Sequence, residues 1–158
     1  MVVVKIKMLS KTGKIPEKMS EFAAGYDIYA DLDTDRVLKP LERALIPTGF
    51  AISLPISFEA QIRPRSGLAI NDGITVLNSP GTIDSDYRGE VKIILINLSD
   101  NDFVVKHNMR IAQMVIAQHE EIEFHQVDTL EDTMRGMGGF GHTSIEGRDI
   151  SGLSEGCK

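Results

Sequence analysis

Asn78-Ser-Pro-Gly-Thr-Ile-Asp84-Ser-Asp86-Tyr87-Arg-Gly-Glu90 is the stretch from which the fold can be read. Pro80-Gly81 and Arg88-Gly89 are turn signals, and the apolar run Val91 to Ile96 that follows reads as a buried strand. Together they predict a hairpin whose bend carries one amide, two carboxylates and a phenol. Such a bend exposes main-chain N–H and C=O groups in a fixed array, suited to reading a flat base by its edge. A tight turn with solvated acids fits the same residues. Asp84 and Asp86 are two apart, so on an extended chain they point to opposite sides and do not form a close carboxylate pair.

The same texture extends in both directions. Val2–Met8 alternates apolar residues with lysines, a half-buried strand. Short strands are predicted at Gly25–Tyr29, Arg36–Leu38, Arg43–Ile46, Phe50–Ser53 and Phe58–Arg63, then at Ile74–Leu77, Val91–Leu98, Phe103–Val105, Arg110–Ala117 and Ile122–Val127. Pro40, Pro47 and Pro55 punctuate them. Many short strands with Gly/Pro turns predict an all-β domain, a distorted jelly-roll sandwich or barrel. One short helix is expected to open at Ser66, with Ser66 as its N-cap. The β domain is expected over 1–128 and a glycine-rich flexible arm over 129–158. Ile145-Glu-Gly-Arg148 matches a processing-protease site, so 145–158 reads either as a tag or as a disordered tail.

Composition narrows the function. A chain of 158 residues, 42% hydrophobic and 25% charged, fits one globular domain. No apolar run approaches the roughly 20 residues of a membrane span, and Val2–Val4 is too short for a signal-peptide core. The single cysteine, Cys157, makes no internal disulfide, and a cytoplasmic setting is expected. A net charge of −6 argues against nucleic acid or an anionic membrane as partner. A polyanionic ligand then needs a local basic site, and Arg63, Arg65, Arg110 and Arg135 could build one or could be solvated surface.

Two familiar patterns fail. Gly136-Met-Gly138-Gly139-Phe-Gly141 satisfies G-x-G-x-x-G, but the dinucleotide fingerprint needs a following helix and an acid about 20 residues on, and neither is present. His119-Glu120-Glu121 offers the His-x-Glu of a zinc nucleobase deaminase, whose Pro-Cys-x-x-Cys partner is impossible with one cysteine. His107, His119, His125 and His142 show no metal-ligand spacing.

Four further stretches accompany the opening one in a set order: Ala24-Gly25-Tyr26-Asp27-Ile28-Tyr29-Ala30, Pro64-Arg65-Ser66-Gly67-Leu68-Ala69, Arg110-Ile111-Ala112-Gln113-Met114 and Arg135-Gly136-Met137-Gly138-Gly139-Phe140-Gly141. In order and spacing the five resemble the motifs of the trimeric dUTP pyrophosphatase (dUTPase) family, over about Lys5 to Thr143. The resemblance implies hydrolysis of dUTP to dUMP and pyrophosphate by a homotrimer with sites at subunit interfaces. Biologically it implies the limiting of uracil in DNA and a supply of dUMP for thymidylate synthesis. It assigns catalysis to Asp84, which holds the attacking water. It places uracil against Asn78 and the main chain around Thr82, Ile83 and Lys92, and deoxyribose against Tyr87, an aromatic that would otherwise be read as core. Arg65, Ser66, Gly67 and Gln113 fall to the triphosphate, although Arg65-Ser66-Gly67 also suits a plain helix start. Asp27 falls to Mg²⁺, reached through water, and Arg110 to a structural pairing with a motif carboxylate. Arg135, Phe140 and Gly141 fall to an arm that closes over the ligand, and a disordered tail is the other reading of those residues. The family pattern has Ser where this chain has His142, which puts one phosphate contact in question. A dCTP deaminase of the same fold, a non-catalytic regulatory binding protein and a β-rich structural trimer are the alternative readings.

Overall fold

The computed structural model describes residues 1–139. Two compact units divide the chain at Glu121/Ile122, so the boundary expected between 128 and 129 falls inside the second unit.

The first unit is all-β around one short helix. In chain order its elements are β1 (Lys5–Met8), β2 (Tyr26–Tyr29), β3 (Arg36–Leu38), β4 (Arg43–Pro47), β5 (Phe50–Ser53), β6 (Phe58–Arg63), α1 (Ser66–Asp72), β7 (Ile74–Val76), β8 (Gly81–Ile83), β9 (Lys92–Asn97), β10 (Phe103–Val105) and β11 (Arg110–Gln118). They form a four-stranded sheet in the order β2-β11-β6-β8, a three-stranded sheet β4-β9-β7, and the antiparallel pairs β1-β5 and β10-β3. No helix among the described residues is long and apolar enough to cross a membrane.

Period-2 alternation builds the core. Along β9, Ile93, Leu95 and Asn97 turn inward while Lys92 stays exposed. Ile93 and Leu95 meet Ile28, Leu38, Ile46, Phe50, Ile62 and Ile111 in a single apolar cluster. Buried Asn97 is fully engaged: its amide nitrogen donates to the Leu38 and Asn101 carbonyls (2.9 and 2.7 Å), and its oxygen accepts from the Ser99 amide and hydroxyl.

Three local expectations need correction. The predicted hairpin is wider than a tight bend, because β9 pairs with β7 across the whole stretch 77–91. Within that stretch Gly81–Ile83 forms β8, which leaves the hairpin and pairs with β6 in the other sheet. At α1, Arg65 rather than Ser66 occupies the N-cap, with extended backbone and no capping side chain. The helix thus begins one residue earlier than a Ser66 cap would set it, with Ser66 as its first helical residue. The strand expected at Ile122–Val127 is absent: that backbone belongs to the second unit, pairs with nothing among the described residues and is exposed throughout. Its apolar residues Ile122, Phe124 and Val127 suit a strand, but a strand needs a ladder partner.

Candidate active site

Cross-strand register sets out the first half of the site. Gln113 on β11 lies opposite Asp27 on β2 and opposite Arg63 on β6, so an acid, an amide and a cation stand in one row across the sheet. Arg110 also reaches this face, which strict alternation forbids for a residue three positions from Gln113. A bulge between Arg110 and Ala112 restores the parity by turning Ile111 and Ala112 both inward. Arg110 then donates to Asp27 Oδ2 at 3.2 Å, and Arg65 approaches the same oxygen at 3.4 Å. Arg65 also donates to the Arg110 carbonyl at 3.1 Å, so one carboxylate and one carbonyl hold two guanidiniums together. The structural pairing expected of Arg110 is present.

These groups line a cleft of about 440 Å³, with Ser66 and Gly67 at the first turn of α1 forming one wall. Gly67 has open space at the position of a Cβ. Gly25 also lines the cleft, and a Cβ there would lie 2.3 Å from Gln113 Oε1, so a side chain would displace the Gln113 amide. Gln113 Nε2 donates to the Pro64 carbonyl at 2.9 Å, which supplies the partner its place in an apolar strand demands. An amide nitrogen carries two protons, so this bond leaves one for a ligand.

The second half lies on 78–92. β8 is the last strand of its sheet; β6 takes one of its edges, and the other edge of Gly81–Ile83 has no ladder partner among the described residues. Asn78 folds over Gly81, where a Cβ would meet Asn78 Nδ2 at 3.1 Å and Ile62 Cβ at 3.3 Å. Asp84 follows β8 directly and is exposed; its main-chain carbonyl accepts the Tyr87 N–H at 3.2 Å, making a turn. The Tyr87 phenol lies across Gly89, where any side chain would collide with it, and its hydroxyl donates to the Glu90 carbonyl at 3.0 Å. Tyr87 is therefore a half-exposed platform and not a core aromatic.

Glu90 is the residue that sequence reasoning passed over. Its Oε1 accepts the main-chain N–H groups of Thr48 and Gly49 at 3.2 and 2.9 Å, and its Oε2 lies 3.4 Å from Lys92 Nζ. One carboxylate thus fastens the segment carrying Tyr87 to the turn between β4 and β5. The only sequence signal was an acid placed where a turn enters a buried strand. Glu90→Ala leaves both N–H groups without their acceptor and is expected to lower stability by about 1–3 kcal/mol. Glu90→Gln keeps an acceptor and should lose less; urea denaturation midpoints of the two variants measure the difference.

Near β2, the Tyr29 hydroxyl donates to Glu17 Oε2 at 3.3 Å. Burial, and then the Glu17 carboxylate, push the Tyr29 phenol above its ordinary pKa, so it stays a donor and holds the 10–20 loop against the strand. In the second unit, Arg135 Nε donates to the Gly138 carbonyl at 2.8 Å, and Gly136 adopts φ +51° in a turn closed on Thr133. Phe140, Gly141 and His142 lie outside the described residues. No cluster of three metal-ligating side chains occurs among the described residues, and His107 instead accepts the Leu32 N–H at Nδ1.

A family model described as dUTPase matches residues 11–144. The chain belongs to the dUTPase family. Deoxyuridine 5'-triphosphate nucleotidohydrolases of Rickettsia felis and Rickettsia bellii are each 57% identical over 143 residues, covering 90% of this chain and 97% and 95% of theirs. Among solved dUTPase structures, that of Staphylococcus bacteriophage 80alpha with dUpNHpp superposes with TM-score 0.82 at 28% identity, covering 90% of this chain and 99% of the phage protein. A dUTPase mutant from phage phi11 of S. aureus shares the fold with TM-score 0.74 at 24% identity, covering 82% of this chain and 99% of its own. Of the residues that the dUTPase resemblance singled out, Asp27, Arg65, Ser66, Gly67 and Gln113 line one cleft. Asn78, Thr82, Ile83, Asp84, Tyr87 and Lys92 follow one another along the β8–β9 segment.

Proposed function

We propose that this chain performs the family reaction, hydrolysis of dUTP to dUMP and pyrophosphate, with Asp84 as general base. The place of Asp84 directly after β8 and a carboxylate free among the described residues support the assignment. Asp27 is held by two arginines and Glu90 by two amides and Lys92, whereas the Asp84 carboxylate makes no hydrogen bond or ion pair among the described residues. It stands exposed at the end of an edge strand, where it can hold a water. The water oxygen bonds to the α-phosphorus, its proton passes to the Asp84 carboxylate, and the bond from that phosphorus to the β-phosphate bridging oxygen breaks. Uracil is read by Asn78 and the open edge of β8 around Thr82 and Ile83, beside the start of β9 at Lys92. The Tyr87 ring takes the deoxyribose face and leaves no room for a 2′-hydroxyl. Arg65, Ser66, Gly67 and Gln113 hold the phosphates. Arg135, Phe140 and Gly141 are assigned to substrate binding through the family motif they belong to.

The donor set fits Mg²⁺ bound through water and phosphate. Both arginines engage Asp27 Oδ2, and Asp27 Oδ1 accepts no hydrogen bond among the described residues. One partly buried carboxylate oxygen suits an outer-sphere partner of a cation that keeps its own waters. When bound, the ion neutralises charge on the phosphates. We further assign a homotrimer in which sites are shared between subunits, a cytoplasmic setting, and no nucleic-acid partner for a chain of net charge −6.

Hydrolysis in ¹⁸O-water tests the chemistry. Attack at the α-phosphorus puts the label in dUMP and none in pyrophosphate, with one pyrophosphate released per dUTP. Label in pyrophosphate, or release of inorganic phosphate, overturns the assignment.

A further inference from the structure

The phosphate cleft contains three guanidiniums and only one carboxylate among its lining residues. Arg65 and Arg110 share that carboxylate, Asp27. Arg63 is held differently. Its Nε and Nη2 donate to the amide oxygen of Gln61 at 3.2 and 2.5 Å, and Gln61 Nε2 in turn donates to Glu59 Oε1 at 2.7 Å. Glu59, Gln61 and Arg63 alternate along one face of β6, with a neutral amide standing between the acid and the cation. Arg63 makes no ion pair among the described residues. Its guanidinium is therefore oriented by a neutral acceptor, without being neutralised, on the same row as Gln113 and Asp27.

We propose that Arg63 is a further substrate-binding residue, contacting the terminal phosphates of the nucleoside triphosphate. This rests on the reading that Arg65, Ser66, Gly67 and Gln113 hold the triphosphate. The chemistry follows from the donor count: a guanidinium has five N–H groups, and only Nε and Nη2 are used by Gln61, so Nη1 and one further proton remain for phosphate oxygens. Gln61 sets the orientation of the guanidinium fork before the ligand arrives, so less rotamer freedom is lost on binding. The Glu59 carboxylate acts on Arg63 only through Gln61, which keeps the acid away from an incoming anion.

Dissociation constants for dUMP and for the imido analogue dUpNHpp, measured by calorimetry on the full-length chain with Mg²⁺, test the proposal. Arg63→Gln, Arg63→Lys and Arg65→Gln are compared with the unaltered chain, with thermal midpoints checking that each folds. Arg63→Gln is expected to weaken dUpNHpp about tenfold and leave dUMP unchanged. Arg63→Lys should recover part of the loss, since the charge returns without the fork. If Arg65→Gln weakens dUpNHpp while Arg63→Gln does not, Arg63 is only a surface residue and the proposal fails, although the cleft reading stands. If neither variant changes dUpNHpp binding, the cleft reading fails and takes the proposal with it. Equal weakening of dUMP and dUpNHpp by Arg63→Gln also overturns it, because the effect would not depend on the terminal phosphates.

Discussion

Asp84→Asn is expected to fold and bind dUTP like the unaltered chain while turning it over about 10²–10⁴-fold more slowly. The amide is nearly the same size as the carboxylate but cannot take the proton of the attacking water. Folding should be spared because Asp84 contributes its main-chain carbonyl to the turn with Tyr87, and no side-chain bond among the described residues is lost. Pyrophosphate release under single-turnover conditions, beside calorimetric binding of dUpNHpp, separates the two effects. Near-normal turnover would remove Asp84 from the chemistry. Lost binding with normal turnover of the bound fraction would make it a binding group instead.

Discrimination between uracil and cytosine should be larger still. An edge strand offers donors and acceptors at fixed positions, and β6 holds Gly81–Ile83 rigidly from the other side. The Asn78 amide lies over Gly81, where a Cβ would crowd it. Cytosine reverses uracil's pattern at N3 and C4, so its arrival would leave desolvated polar groups on both partners unmatched. A site of this kind rejects the wrong ligand by about 10⁴–10⁵ in kcat/KM. Competition between dUTP and dCTP, followed by separate product assays, measures the ratio. A ratio within tenfold of unity would show that the edge of β8 does not read the base. Release of ammonia from dCTP would favour the deaminase reading.

Strand positions were legible because prolines and glycines bound many of the apolar runs, and period-2 alternation survives in strands such as β1, β7 and β9. What escaped depends on the third dimension. Alternation places Arg110 on the same side as Ala112, facing the core; only the bulge at Ile111 brings it to Asp27. A bulge has no local signature in Arg110-Ile-Ala-Gln113, since all four residues are acceptable in regular strand. Gly81–Ile83 was read as bend because turn residues surround it, yet its pairing is to β6, far away in sequence. Ile122–Val127 failed the other way, with strand-like residues and no neighbour to pair with. Most residues that line the cleft were named through the motifs they belong to, whereas the bonds of Asp27 with Arg65 and of Glu90 with Thr48 and Gly49 join segments that composition cannot connect.

The division of 77–91 between two sheets bears on how this enzyme could change in evolution. Binding loops ordinarily tolerate insertions and deletions, because both ends leave a rigid scaffold and the middle is slack. Here the stretch is committed at β8 to one sheet, at Glu90 to the β4–β5 turn, and at β9 to the other sheet. A residue added or lost between Ile83 and Glu90 finds no slack to absorb it and displaces Asp84 or Tyr87. New specificity would therefore be reached by exchanging side chains at constant length, and length variation should accumulate elsewhere, in loops such as 10–20 or in the chain beyond 121.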